Sequence, residues 1–356
     1  MPTATATTPR WRLRFADNRE ARNWNLVSLA LTVPLLLVGY YYYGPNALRT
    51  ALAGAGTALL CDWAAGRLIL RRRTLDDWSA LVTGLWVACM LPAEMMNVGG
   101  LVIRDVPVNT APLYAAAGAA FAILVVKIPF GGAMTVPFSP AAAGFAFLTV
   151  CFPQKVFAYV PSILVPSAHK SSLALLLRQG RSALGGGQLS GVFMGQSVGP
   201  LGTGCMLVIC AALLAMCLMK ARRGAALSAA GLIASVAVFA FLFPRVTGTG
   251  LSVRLHSVGM ELFSGSLLFA AVFLLPEPGI MPNRWYTRLG YGAAAGALCL
   301  LLRHLGSYEE SVCFAVLLAN AVVPLLYRLQ TEIDARREHR RKREGAPARA
   351  EGKEGL

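Results

Sequence analysis

Apolar residues run in blocks separated by short polar, glycine-rich or proline-rich breaks. The blocks cover roughly 24–43, 46–70, 78–93, 108–128, 139–152, 204–219, 225–244, 258–275, 288–303 and 311–327. A bilayer core takes about 20 helical residues to cross, and every backbone N–H and C=O within it must be satisfied by protein. The pattern predicts an all-α polytopic membrane protein with about ten transmembrane helices. Composition agrees, because the 356 residues are 56% hydrophobic and 14% charged, against about 25% charged in soluble domains.

The blocks form two sets of five. Residues 1–23 form an arm and 24–152 a first transmembrane half. Residues 153–203 form an external connection rich in Gly and Ser, 204–327 a second half, and 328–356 a basic tail expected to be disordered. "VTGLWVACMLPAEM" (82–95) echoes "FSGSLLFAAVFLLPEP" (263–278), and Lys127 followed by Gly131-Gly132 is answered by Arg303 followed by Gly306. Since five spans is an odd number, the second half enters from the opposite face. The expectation is two inverted five-helix repeats with broken helices, an arrangement that places ligand sites between the halves.

Net charge is +16, and its placement sets the orientation. Threading the spans puts Arg10 to Arg22, Arg67, Arg71 to Arg73, Lys220 to Arg223, Arg284, Arg288 and the tail on one side. The positive-inside rule then makes both termini cytoplasmic, in the inner (cytoplasmic) membrane of the cell. The tail reads as a solvated, topology-setting segment, so no nucleic-acid partner is expected. The eight cysteines lie in or beside apolar blocks without a CxxC spacing and read as small hydrophobes, with no metal site expected.

Candidate chemistry is sparse. Asp62 inside the second block is costly to bury and is the carboxylate assigned to an ion pathway, with Arg67 its nearest cation in sequence. Lys127 and Arg303 have two readings: cations lining an interior site for an anion, or side chains snorkelling to the interface from span ends. No nucleophile–base pair or nucleotide-binding glycine pattern is present, so no residue is assigned as catalytic.

Four ordered stretches carry a resemblance: "DDWSALVTGLWVACMLP" (76–92), "KIPFGGAMTVPFSPAAAGFAFL" (127–148), "FSGSLLFAAVFLLPEPGIMP" (263–282) and "RHLGSYEESVCFAVLLANAVVP" (303–324). Over roughly residues 20–328 the chain resembles the D subunit of the Rnf electron-transport complex and the related B subunit of the sodium-pumping NADH:quinone reductase. The resemblance implies partner subunits of an Rnf-type complex. That complex moves electrons between ferredoxin and NAD, each handled by those partners, and couples the transfer to Na⁺ or H⁺ translocation. It further implies FMN held by a phosphoester to a threonine, and in some members a second, non-covalent flavin.

Here the attachment segment reads "VPSAHKSSLALL" (165–176), with Ser171 in the threonine's place and His169 and Lys170 before it. The family's two asparagines are Val136 and Ser139. Three outcomes are open. FMN is esterified to Ser171; or a flavin binds non-covalently near Gly131 and Gly132, with Lys127 or Lys170 on its phosphate; or a flavin-free paralogue serves as a structural or transporter-like protein.

Overall fold

The computed structural model describes residues 18–70, 74–95, 102–103, 106–107, 109–132, 135–159, 172–178, 191–194, 198–246, 250–306 and 308–344. Among these, helices dominate; the strand pairing is a two-residue antiparallel contact between Val102–Ile103 and Val106–Pro107.

The first half contains α1 (Asn18–Tyr43), α2 (Pro45–Ala65), α3 (Ser79–Met90), α4 (Ala111–Phe121) and α5 (Pro140–Cys151). Short helices α6 (Pro153–Val156) and α7 (Leu173–Arg178) lie in the connection. The second half contains α8 (Met206–Leu218), α9 (Arg223–Leu242), α10 (Leu251–Leu262), α11 (Leu267–Phe269), α12 (Trp285–Leu305) and α13 (Val312–Glu344). Wider π-helical turns extend α2 over Gly66–Leu70, α4 over Ala122–Lys127 and α11 over Ala270–Leu274. Such turns recur at functional sites because they shift the phase of the side chains that follow. The turn ending α4 carries Lys127.

Every apolar block holds a helix, but the lengths are uneven. Glu20–Tyr43, Arg223–Leu242 and Val312–Arg337 are long and apolar enough to cross a membrane, and Leu251–Leu262 with Leu267–Leu274 forms a fourth such unit bent by 61°. Ser79–Met90, Ala111–Lys127, Pro140–Cys151 and Met206–Leu218 are apolar but shorter: α3 and α5 have 12 residues each, about 18 Å at 1.5 Å per residue. Prolines set several of these limits. Pro45 and Pro140 occupy first-turn positions, where the missing N–H costs nothing. Gly44, at φ 66°, makes the corner between α1 and α2 that an L side chain would strain.

Small residues let the helices touch. A Cβ placed on Gly84 would lie 2.4 Å from the Gly54 carbonyl oxygen, and one on Gly292 would lie 1.9 Å from that of Ser228. The α2–α3 and α9–α12 crossings therefore bring backbone against backbone, which substitutes packing for the hydrophobic effect that lipid removes. The halves meet through the rings of Trp86 and Phe273, 5.7 Å apart, and through Cys313 Sγ and Met90 Sδ at 3.5 Å.

The two ends of α1 mark two faces. At its start, Asn25 donates to the Asp77 carbonyl at 2.8 Å, and the buried Arg222 guanidinium stacks 4.0 Å from the Trp24 ring while donating to Ser28 Oγ at 2.7 Å. Arg222 belongs to the link between α8 and α9, and burial lowers its pKa to about 10. Arg288 crowds Gly224 on the same face, and Arg284 pairs with Asp334 at 3.1 Å. At the other end, Tyr43 Oη meets the Gly199 carbonyl at 3.5 Å, and the Leu201 N–H donates to the Leu91 carbonyl at 2.9 Å. The long connection thus sits opposite the basic links.

Candidate functional site

Two buried charge clusters stand where helices break. The first sits on the α1-start face. Lys127 is 2% exposed, and its Nζ lies 2.9 Å from Asp62 Oδ1 and 3.9 Å from Asp77 Oδ1. Asp77 Oδ1 also accepts from the backbone N–H of Ser79 at 3.0 Å and from its Oγ at 2.7 Å, tying the cluster to the start of α3. Asp62 Oδ2 is buried without a hydrogen-bond partner. In this low-dielectric setting the Coulomb attraction offsets a large desolvation cost, so the pair is stable only while both members remain.

These contacts exclude the snorkelling reading for Lys127, whose ammonium is taken up by a carboxylate of this chain. Its side chain points inward and does not snorkel. They also replace Arg67 as the partner of Asp62: Arg67 is exposed, and the partner comes from α4. Gly131 and Gly132, at φ 92° and 118°, form the turn that follows, with the Gly132 N–H donating to the Lys127 carbonyl at 3.1 Å. A side chain there would be strained whatever the surroundings.

The second cluster lies on the opposite face. Arg303, at the end of α12, donates from Nη1 to Glu261 Oε2 at 3.0 Å and to the Glu261 carbonyl at 2.8 Å, and from Nη2 to the Ser264 carbonyl at 2.8 Å. Arg245 reaches the other oxygen of Glu261 at 2.5 Å. Glu310 lies 3.7 Å from Arg303 Nη2 and accepts from the Ser266 backbone N–H at 2.9 Å and from its hydroxyl. The carboxylates thereby hold the break between α10 and α11, whose free backbone groups would be costly in lipid.

The clusters correspond. Each has its cation near the end of the fourth helix of its half, and an acid just before the half's short apolar helix. Asp77 and Glu261 stand the same number of residues ahead of Pro92 and Pro276. The sequence reading paired Lys127 with Arg303 but missed Asp77, Arg245 and Glu310. The signal was available in "DDWS" and "YEES", where acids flank breaks, but not in periodicity.

A cavity of about 430 Å³ opens between the halves. Its walls are Phe130, Val136, Pro137, Phe138, Ile280 and Tyr327, with Asn320 and Thr135 the other polar contributors. Asn320 meets the Tyr291 hydroxyl at 2.5 Å and, in the amide orientation that satisfies both contacts, accepts from the Ser139 N–H at 2.9 Å. Ser139 Oγ and Glu277 Oε2 are buried nearby, the Ser139 hydroxyl facing the Glu277 carboxyl. No cation lines this cavity among the described residues.

Ser171 and Lys170 lie outside the described residues. The next residue, Ser172, donates to Glu309 Oε2 at 2.7 Å, which sets Ser172 and α7 on the face that carries Arg303. Among the described candidates, Asp62 and Lys127 are in contact, and Gly131 and Gly132 follow them.

Apolar helices in series, short helices ending in backbone breaks, and charge buried at those breaks together define a polytopic membrane protein. The chain belongs to the NQR2, RnfD, RnfE family, whose model matches residues 14–334. It is similar to the D subunit of the ion-translocating oxidoreductase complex of Klebsiella pneumoniae (strain 342), at 29% identity over 346 residues, 87% of this chain and 93% of the relative. The corresponding D subunit of Salmonella enteritidis PT4 (strain P125109) is 27% identical over 351 residues, with the same coverage of each chain.

Proposed function

We propose that this chain is the membrane-embedded D subunit of an Rnf-type complex, passing electrons between ferredoxin and NAD with translocation of Na⁺ or H⁺. The observation that carries the reading is similarity along nearly the whole chain to relatives of that name. The mirrored clusters support the finer architecture of ten spans in two inverted repeats. Basic residues gathered on the α1-start face support cytoplasmic termini and residence in the inner membrane. Ferredoxin and NAD are handled by partner subunits.

The cofactor reading follows the geometry. At about 430 Å³ the cavity between the halves falls in the range of ligand pockets, roughly 300–1,000 Å³. Its apolar walls and its hydrogen-bonding end at Asn320 suit a flat, neutral ring such as that of a flavin. They do not suit a phosphate, for which the walls offer no cation; Lys127 is already committed to Asp62. A flavin here would be held through its ring, by Phe130, Tyr327 and Asn320. Such a group supplies one- and two-electron transfer, while this chain's residues exclude water and orient it. Esterification of FMN at Ser171 is a separate proposal. Asp62 is the carboxylate of the ion path on the inner side, and its unpartnered Oδ2 is the atom available to an ion.

The test is purification of the tagged chain from its native membranes, with flavin analysis of the denatured protein and peptide mass spectrometry across 160–180. The reading expects co-purifying partner subunits, ferredoxin-dependent NAD reduction and a flavin, released or on the Ser171 peptide. A solitary chain without flavin would leave the paralogue reading.

A further inference from the structure

Beside the second cluster lies a cavity of about 20 Å³, bounded by Tyr159, Ser172, Gly199, Thr203, Gly265 and Glu310. That volume holds about one water, which needs some 10–15 Å³. Two buried atoms at it lack hydrogen-bond partners: Glu310 Oε1, on a residue 2% exposed, and the Tyr159 hydroxyl. Room for the Glu310 carboxylate depends on Gly265, at φ 61°, where a Cβ would fall 1.7 Å from Oε1. Ser172 contributes to the cavity and also holds the half-buried Glu309 at 2.7 Å. A partly exposed carboxylate, a water-sized space and a buried carboxylate oxygen thus stand in succession.

We propose that Glu310 is a proton-binding site on the outer side of the ion path, exchanging with the surface through the one-water cavity and Glu309. This rests on the ion-translocating reading above and adds the identity of the ion. The step is a proton transfer alone: protonation of Oε1 neutralises Glu310, and release through the water and the Ser172 hydroxyl to Glu309 restores it. Oε2 stays bonded to Ser266 throughout.

A metal cation fits the site less well. The same Oε1 has the Arg303 guanidinium 3.7 Å away, and only one carboxylate oxygen faces the space. At that distance like charges repel strongly in a low dielectric. Burial also favours proton uptake at Glu310. Burial pushes its pKa up, against the opposing pull of Arg303 and of the Ser266 hydrogen bonds. Glu309 is likewise raised, by burial first, with the adjoining Glu310 adding to it against the Ser172 hydrogen bond and Arg178. Glu261 stands across Arg303 and takes Arg245 on its far side, and the thiols of Cys299 and Cys313 complete the surroundings.

Infrared difference spectra of the purified chain in liposomes, recorded as pH is stepped, test this without the rest of the complex. A protonated-carboxyl band is expected to grow on acidification in Na⁺-free buffer and to vanish in Glu310→Gln, which keeps an oxygen for Ser266. In the assembled complex the same variant is expected to lose most of the ions moved per electron. A band that persists in Glu310→Gln, or that Na⁺ abolishes, overturns the proposal. If Glu310→Gln does not accumulate, Tyr159→Phe serves instead: a shifted band supports the site and an unshifted one refutes it. Failure of co-purification alone bears on the complex and leaves the band to decide the site.

Discussion

Lys127 survives in an apolar block because Asp62 meets its ammonium at 2.9 Å. Removing one member of such a pair leaves a buried, uncompensated charge and costs about 3–5 kcal/mol, whereas replacing both by apolar groups is often neutral or stabilising. Asp62→Asn is therefore expected to lower the unfolding temperature in detergent sharply, and Asp62→Asn/Lys127→Met to recover most of the loss. Two single variants whose effects simply add would mean that the residues do not act as a pair. Each residue was legible in the sequence as an expensive intrusion. Their pairing was not, because sequence offered Arg67 as the nearest cation, and Arg67 falls in the π-helical turn after α2, where it is exposed. The π-helical turn that brings Lys127 round to Asp62 has no propensity signal.

Helices were legible as blocks, and less so as lengths. The runs 78–93 and 139–152 read as crossings, yet α3 and α5 stop at 12 residues because Pro92 and Pro140 limit them and the flanking apolar residues are extended. Hydropathy does not distinguish an apolar residue in a helix from one in a buried loop. The backbone crossings were also hidden, since a glycine on a contact face and one facing lipid look alike in sequence. Gly292 and Gly290 on α12 separate the cases. Gly292→Ala drives a Cβ into the Ser228 carbonyl, while a Cβ on Gly290 meets nothing within 4 Å. Overpacking of the first kind costs about 1–3 kcal/mol. We expect a lower melting temperature for Gly292→Ala and no loss for Gly290→Ala; equal behaviour would deny the close α9–α12 crossing.

At the scale of the whole molecule, a membrane fold with irregular backbone must place its breaks where protein satisfies them. This chain does so twice, with Lys127, Asp62 and Asp77 toward one face and Arg303, Glu261 and Glu310 toward the other. The cavity between the halves lies among the residues that follow those breaks. The sequence reading found the echo of Lys127 and Arg303 but expected both cations at one interior site, whereas the fold holds them in separate clusters. It did not reach the cavity, which is formed by residues from 130 to 327 that only the fold brings together. Opposite placement of the two clusters is the central claim. Its most direct test is labelling with a membrane-impermeant maleimide in right-side-out and inverted vesicles. The exposed native Cys151 and Cys217 would first be replaced. Asp76→Cys beside the first cluster and Arg284→Cys at the start of α12 are predicted to react only in inverted vesicles. Met194→Cys, 62% exposed in the long connection, is predicted to react only in right-side-out ones. Reaction of Asp76→Cys and Met194→Cys from the same side would contradict the account.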